Sequence, residues 1–159
     1  MLIPMLICVV MSAYFSATET AFNSLNVTKM KIAAERGDRT ADLVLRLLGN
    51  YNRLLTTILV GNNIVNIALS SMATVLFIEL LGGDIGATVS TAVITVVVLI
   101  FGEITPKSVA KESPEAFAKF SAPIINFLAV ILTPINYIFS LWKKLVSLVV
   151  KSSGEQAVT

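Results

Sequence analysis

From Leu54 to Ile78, and again from Ile85 to Gly102, the chain runs without a charged side chain. About twenty apolar residues in a helix cross the ~30 Å hydrocarbon core of a bilayer. Inside that core every backbone N–H and C=O must find its partner within the protein, so uncharged stretches of this length are expected to be helices. Such stretches occur at about 2 to 25, 54 to 81 and 85 to 105, and a fourth apolar region runs from about 116 to 150. The composition agrees: the 159 residues are 55% hydrophobic and 14% charged, with a mean hydropathy of +0.83, outside the range of ordinary soluble domains. The expected fold class is all-α integral membrane.

Composition also removes several kinds of chemistry. With one cysteine, Cys8, and no histidine, the chain has no disulfide framework, no zinc site of sulfur and imidazole, and no triad with a histidine base. Cys8 reads as a small core or lipid-facing residue. No GxxxxGK[ST] phosphate loop is present, and no base and nucleophile pair suggests an enzyme. A net charge of +2, spread in local groups, does not suggest a nucleic-acid partner. The opening stretch lacks a basic leader and carries polar residues where a signal peptide would be cut, so it is expected to be a retained span.

The basic residues set the orientation. Lys29, Lys31, Arg36, Arg39, Arg46 and Arg53 lie between the first two spans, which the positive-inside rule assigns to the cytoplasm, leaving the N-terminus outside. Gly82-Gly83-Asp84 then forms an outer turn, and the third span returns to Lys107, Lys111 and Lys119. A fourth crossing would export Lys143, Lys144 and Lys151, whereas three spans leave all twelve basic residues inside and make the C-terminus cytoplasmic. Pro123 and Pro134 are expected to cut the last apolar region into helical pieces, with Lys143 and Lys144 in the middle of the final piece. That region is therefore expected to lie along the membrane as a juxtamembrane belt over about 114–150, an ordinary fourth span being the alternative. Ser113 would cap its first helix with Pro114 at the first helical position, and Trp142 suits an interfacial anchor. Within the cytoplasmic loop, the segment from Thr28 to Asn50 reads as two short helices broken at Gly37. Leu43, Val44, Leu47 and Leu48 form one apolar face of the second, and the charges there read as a solvated surface. The transport domain would occupy 1–151, with a disordered tail over 152–159.

Each span carries a polar cluster that lipid would penalise, and such groups are functional candidates by default. Ser12, Ser16 and Glu19 are spaced i, i+4 and i+7 on one helical face, although serines also bond their own i−4 carbonyls. In Gly61-Asn62-Asn63-Ile64-Val65-Asn66, three amides fall within five residues, more than helix-to-helix adhesion normally needs. Gly102-Glu103-Ile104-Thr105-Pro106-Lys107 joins an acid to a helix breaker. Pro106 cannot donate to the Gly102 carbonyl four residues earlier; a plain kink with Glu103 paired to Lys107 is the simpler alternative. Hydroxyls, amide oxygens, a released carbonyl and one or two carboxylates, without soft ligands, form the donor set of a hard cation. Magnesium, calcium and sodium all fit, and magnesium would have to give up part of its water shell.

Taken together, SAYFSATETAF from Ser12, GNNIVNIA from Gly61 and GEITPKSVA from Gly102, in this order and spacing, resemble the transmembrane domain of the CorC and cyclin M (CNNM) family of magnesium transporters. The resemblance covers nearly the whole chain. It implies a homodimer of three-span subunits in the plasma membrane of a bacterium or archaeon, a cytoplasmic belt, and Mg2+ bound between the helices and exported, with Na+ as the coupling ion. By motif position it implies Ser12, Ser16, Asn63, Asn66, the Gly102 carbonyl and Glu103 as ligands, with Glu19 and Asn62 as further candidates. It also implies cytoplasmic CBS-type domains beyond Thr159 in the full-length protein. A channel of the same fold and a nontransporting metal-sensing anchor are the competing expectations.

Overall fold

The computed structural model describes residues 2–158, with side chains from 2 to 151; the tail expected over 152–159 lies outside the fully described residues. The described chain is helical throughout. Helix α1 (Leu2–Ser24) leads to two short helices, α2 (Val27–Glu35) and α3 (Arg39–Gly49), followed by the long α4 (Tyr51–Leu81). Helix α5 (Gly83–Val97) passes through a π-helical segment (Val98–Ile104) into α6 (Thr105–Glu112), and α7 (Pro114–Ile131) and α8 (Thr133–Val158) complete the order. Large apolar side chains such as Leu2, Ile67, Leu80 and Phe127 point outward, the reverse of a water-soluble fold and the arrangement lipid favours. This is an all-α membrane protein.

Local chemistry explains the breaks. Asn26 caps α2 by accepting the Lys29 amide at 3.2 Å, and Asp38 caps α3 by accepting the Thr40 and Ala41 amides at 3.0 and 3.1 Å, satisfying N–H groups that a helix start leaves free. Between them Gly37 takes φ +97°, a region in which L side chains are strained. Gly82, at φ +93°, turns the chain from α4 into α5 in the same way. Four residues later Gly86 lets the two helices meet, since a Cβ there would come within 2.6 Å of the Phe77 carbonyl oxygen.

Two apolar clusters hold the bundle. The larger joins Phe15 and Phe22 of α1 to Met30 and Val44 of the short helices, Leu54 and Ile58 at the start of α4, Ala110 of α6, and Ala118, Ala122 and Ile125 of α7. Val44 and Leu47 are buried as expected, with Leu43 and Leu48 partly buried against the same cluster. The smaller cluster lies at the other end of the bundle, built on Leu69, Ala73 and Ile94, with Met5, Val9, Phe77 and Val98 against it.

The last apolar region departs from expectation. Pro134 does stand at the start of a helix, but Pro123 lies inside α7 without breaking it. Its ring is exposed while Ala118, Ala122, Ile125 and Ala129 are buried at helical spacing, so packing along that stripe outweighs one missing ladder bond. At 18 residues α7 is long and apolar enough to cross a membrane, which makes four such helices among the described residues where three spans were expected. Ser113 occupies the cap position of α7, yet its side chain makes no capping bond. The loop charges are also not simply solvated: Asp38 forms an ion pair with Lys119 of α7, and Glu115 accepts the Asn26 amide at 3.2 Å. These contacts bind the first part of α7 to the short helices.

Candidate cation site

Polar side chains gather where the two apolar clusters adjoin, with Val65 of the larger cluster between Asn62 and Asn66 and Cys8 packed against both clusters. On α1, Ser12 lies between Val9 of the smaller cluster and Phe15 of the larger; on α4, Asn62 and Asn66 lie between Ile58 and Leu69. Asn66 is the midpoint of the 31-residue α4, so an apolar half-helix extends to either side of it. Ser12 is fully buried and donates its hydroxyl to Asn62 Oδ1 at 3.2 Å. The same oxygen accepts Asn66 Nδ2 at 3.4 Å. That pair fixes which way the Asn66 amide faces: its other end, Oδ1, is buried and has no hydrogen-bond partner. A buried, unmatched acceptor costs about 1–3 kcal/mol.

The third wall is the π segment. Thr105 donates its backbone N–H to the Ile100 carbonyl, five residues back, the wider register that interrupts α-helices at functional sites. Pro106 follows at the second residue of α6, a position where a missing N–H is tolerated. No donor at residue 106 can therefore serve the Phe101 carbonyl, its partner in π register, or the Gly102 carbonyl, its partner in α register. Gly102 is buried, and a Cβ there would meet Ser12 Oγ at 3.0 Å. Glycine thus permits the π segment to press its backbone against the serine hydroxyl. The sequence suggested a helix breaker freeing the Gly102 carbonyl, with a plain kink as the alternative; the structure has a change of helical register ending at the proline. Glu103 and Lys107 form no ion pair among the described residues.

The structure thus brings together Ser12, Asn62, Asn66 and Gly102. Ser16 is buried one turn beyond Ser12, and Glu103 adjoins Gly102 and is half-buried, as is Glu19. Asn63 differs: it is exposed and lines a separate groove between α4 and α8. Ser12 does not bond its own helix, whereas Thr18, Thr57 and Thr74 each donate to a carbonyl four residues back. Among the described residues, no three acidic or sulfur side chains gather; the oxygens brought together at this layer are neutral, and Glu103 is the adjacent acid.

Sequence reasoning missed a second polar contact, Thr18 Oγ1 to Ser121 Oγ at 3.1 Å, which fastens α1 to α7 with Tyr14 donating to the Ser121 carbonyl at 3.4 Å. Thr18 and Ser121 sit in unrelated stretches, and nothing in their spacing pairs them.

Comparison with known proteins agrees with this architecture. The profile described as the Cyclin M transmembrane N-terminal domain matches residues 3–159. A UPF0053 protein of Haemophilus influenzae is 39% identical over 140 residues, covering 88% of this chain and 33% of the relative. The UPF0053 inner membrane protein YfjD of Escherichia coli is 37% identical over 129 residues, covering 81% of this chain and 30% of the relative. A chloroplastic DUF21 domain-containing protein of Arabidopsis thaliana is 35% identical over 127 residues, covering 79% and 19%. The chain spans a third or less of the length of these relatives. With that match running from residue 3 to residue 159, the chain belongs to the cyclin M transmembrane domain family.

Proposed function

We propose that this domain transports magnesium, exporting Mg2+ through a site at the polar layer between α1, α4 and the π segment. The observation that carries this reading is Asn66 Oδ1, a buried oxygen with no donor, beside a serine hydroxyl and a proline-terminated π turn. A hard cation is the partner such oxygens take. Asn66, Ser12 and the Gly102 carbonyl would supply neutral oxygens and Glu103 the charge, with Ser16 and Glu19 farther along α1. Asn62 would hold Ser12 and Asn66 in place, whereas Asn63, exposed in the groove beside α8, lies apart from this site. Magnesium demands near-octahedral oxygen ligands and keeps several waters, so a few protein oxygens suffice.

Export of a divalent cation against an inside-negative potential costs about 4.6 kcal/mol per 100 mV, from roughly 2.3 per charge. Coupling to a second ion is therefore required, and sodium entry is the proposed drive. The domain would act as a homodimer in a bacterial or archaeal plasma membrane, joined in the whole protein to cytoplasmic CBS-type domains. The N-terminus would be outside and α7 with α8 would form the belt. In a Cys8→Ser background, Gly83→Cys should then react with an impermeant reagent from outside and Lys144→Cys only from inside.

The deciding experiment is magnesium flux from proteoliposomes with and without a sodium gradient, for wild type and Glu103→Gln. Sodium-dependent flux that the substitution abolishes supports the proposal. Flux indifferent to sodium identifies a channel, and saturable magnesium binding without flux identifies a sensor.

A further inference from the structure

We infer that the groove between α4 and α8 is a binding site for an anionic phospholipid. The groove has a volume of about 1170 Å³, above the ~300–1,000 Å³ usual for small-molecule sites. Its walls come from two helix faces. Thr56, Val60 and Asn63 follow Arg53 along α4, and Asn136, Ser140 and Ser147 mark the facing stripe of α8.

Charge selects the occupant. Arg53 of α4 and Lys143, Lys144 and Lys151 of α8 all line the groove, and no acidic side chain lines it among the described residues. None of these four cations forms an ion pair among the described residues. Apolar side chains, among them Leu59, Val60, Phe139 and Leu148, share the same space. Basic heads beside apolar walls suit a molecule with a phosphate at one end and hydrocarbon at the other. A free phosphate would leave the apolar walls uncovered, and an apolar helix would leave four cations without counter-charge.

A second observation concerns the wall of the same space. Asn136 lines the groove, and both its amide atoms, Oδ1 and Nδ2, are buried without a hydrogen-bond partner. An amide offers two N–H donors to phosphate or ester oxygens, and an acceptor to a headgroup hydroxyl. Native structures rarely leave such a group unmatched. The inference does not depend on the magnesium reading, because none of the groups that would hold the lipid belongs to the Ser12, Asn62, Asn66 and Gly102 layer.

The chain carries its own reporter: Trp142, its one tryptophan, lines the groove and is exposed. The full chain would be reconstituted in phosphatidylcholine vesicles containing either brominated phosphatidylglycerol or brominated phosphatidylcholine at equal mole fraction, and quenching of Trp142 recorded. The expected result is enrichment of the anionic lipid by roughly fivefold or more, the factor that about 1 kcal/mol per basic residue represents. Arg53→Gln with Lys144→Gln should remove that excess while quenching by the zwitterionic lipid persists, which shows that α8 still sits at the membrane. Lys31→Gln, on α2, should leave the excess intact. Equal quenching by the two lipids would overturn the proposal, as would an equal effect of Lys31→Gln, which means diffuse surface charge. So would quenching by both lipids that falls as protein density rises, which places a second copy in the groove.

Discussion

Ser12 and Asn62, fifty residues apart, share a 3.2 Å hydrogen bond in the middle of the bundle, and it sets the orientation of everything around it. Asn62 Oδ1 is committed to the serine and to Asn66 Nδ2. Asn66 is thereby left with its oxygen unmatched, so removal of this one acceptor is the most direct examination of the polar layer.

Asn66→Leu keeps the side-chain shape and deletes the amide. Without metal, the melting temperature should hold or rise, because a buried unmatched acceptor costing about 1–3 kcal/mol is gone. The additional stabilisation by magnesium should disappear. A magnesium increment equal to that of wild type would remove Asn66 from the site.

Pro106→Ala restores an N–H at the end of the π segment. That hydrogen can bond the Gly102 carbonyl in α register or the Phe101 carbonyl in π register, and alanine is the better helix former. Stability without magnesium should hold or rise, while the magnesium-dependent increment should shrink. Melting curves across a magnesium titration measure both, and lower metal-free stability with an unchanged increment would show that the proline serves packing only.

Gly86→Ala should destabilise the hairpin of α4 and α5 by about 1–3 kcal/mol, the usual cost of overpacking, because the new Cβ falls 2.6 Å from the Phe77 carbonyl oxygen and 2.7 Å from Ile78 Cα. Backbone atoms cannot swing aside as a side chain can. Gly83→Ala, three residues earlier, meets nothing within 4 Å and should be neutral or slightly stabilising. Thermal melts of the two variants side by side check the contrast.

Asp38 gives the fold an acid-sensitive link. The hydrogen bond and charge of Lys119, reinforced by the Ala41 amide, hold its carboxyl below the ordinary carboxylate range. A depressed folded value means that the link's contribution is present above the unfolded value of about 3.9 and is lost as pH falls through the folded value. Asp38→Asn retains the cap on α3 and loses the charge. It should be less stable than wild type near neutrality, with the gap closing in acid. Parallel melting curves at neutral and acid pH would read the gap, and a constant difference would exclude a titrating pair.

The apolar stretches that become α1, α4 and α5, the break at Gly37 and the presence of polar clusters on those helices were readable in the sequence, because each is written locally. Uncharged stretches declare helices in lipid, and an asparagine in such a stretch declares an exception. The π register was hidden, since it depends on Gly102 pressing against Ser12, a contact between distant parts of the chain. The continuity of α7 through Pro123 was hidden for a similar reason: proline marks a probable break, and only the burial of Ala118, Ala122 and Ile125 against other helices overrules it. Asn63 illustrates a finer limit. One residue from Asn62, it sits about 100° around the helix and faces the groove of α8, a separation that spacing alone hints at but that only the neighbouring helices decide.

The unequal size of the two apolar clusters has a mechanical consequence. Among the described residues, six helices at the end holding α2 and α3 interlock around sixteen buried apolar residues; at the other, three buried residues, Leu69, Ala73 and Ile94, join α4 to α5, with the beginning of α1 and Val98 of the π segment beside them. Local opening costs least where buried apolar contact is sparsest. The bundle is therefore keeled at one end and loosely tied at the other. Its amide protons should exchange with solvent in that order, fastest near Gly82 and slowest where Phe22 meets Val44, with the Ser12 and Asn66 layer at the boundary between the yielding half and the rigid one.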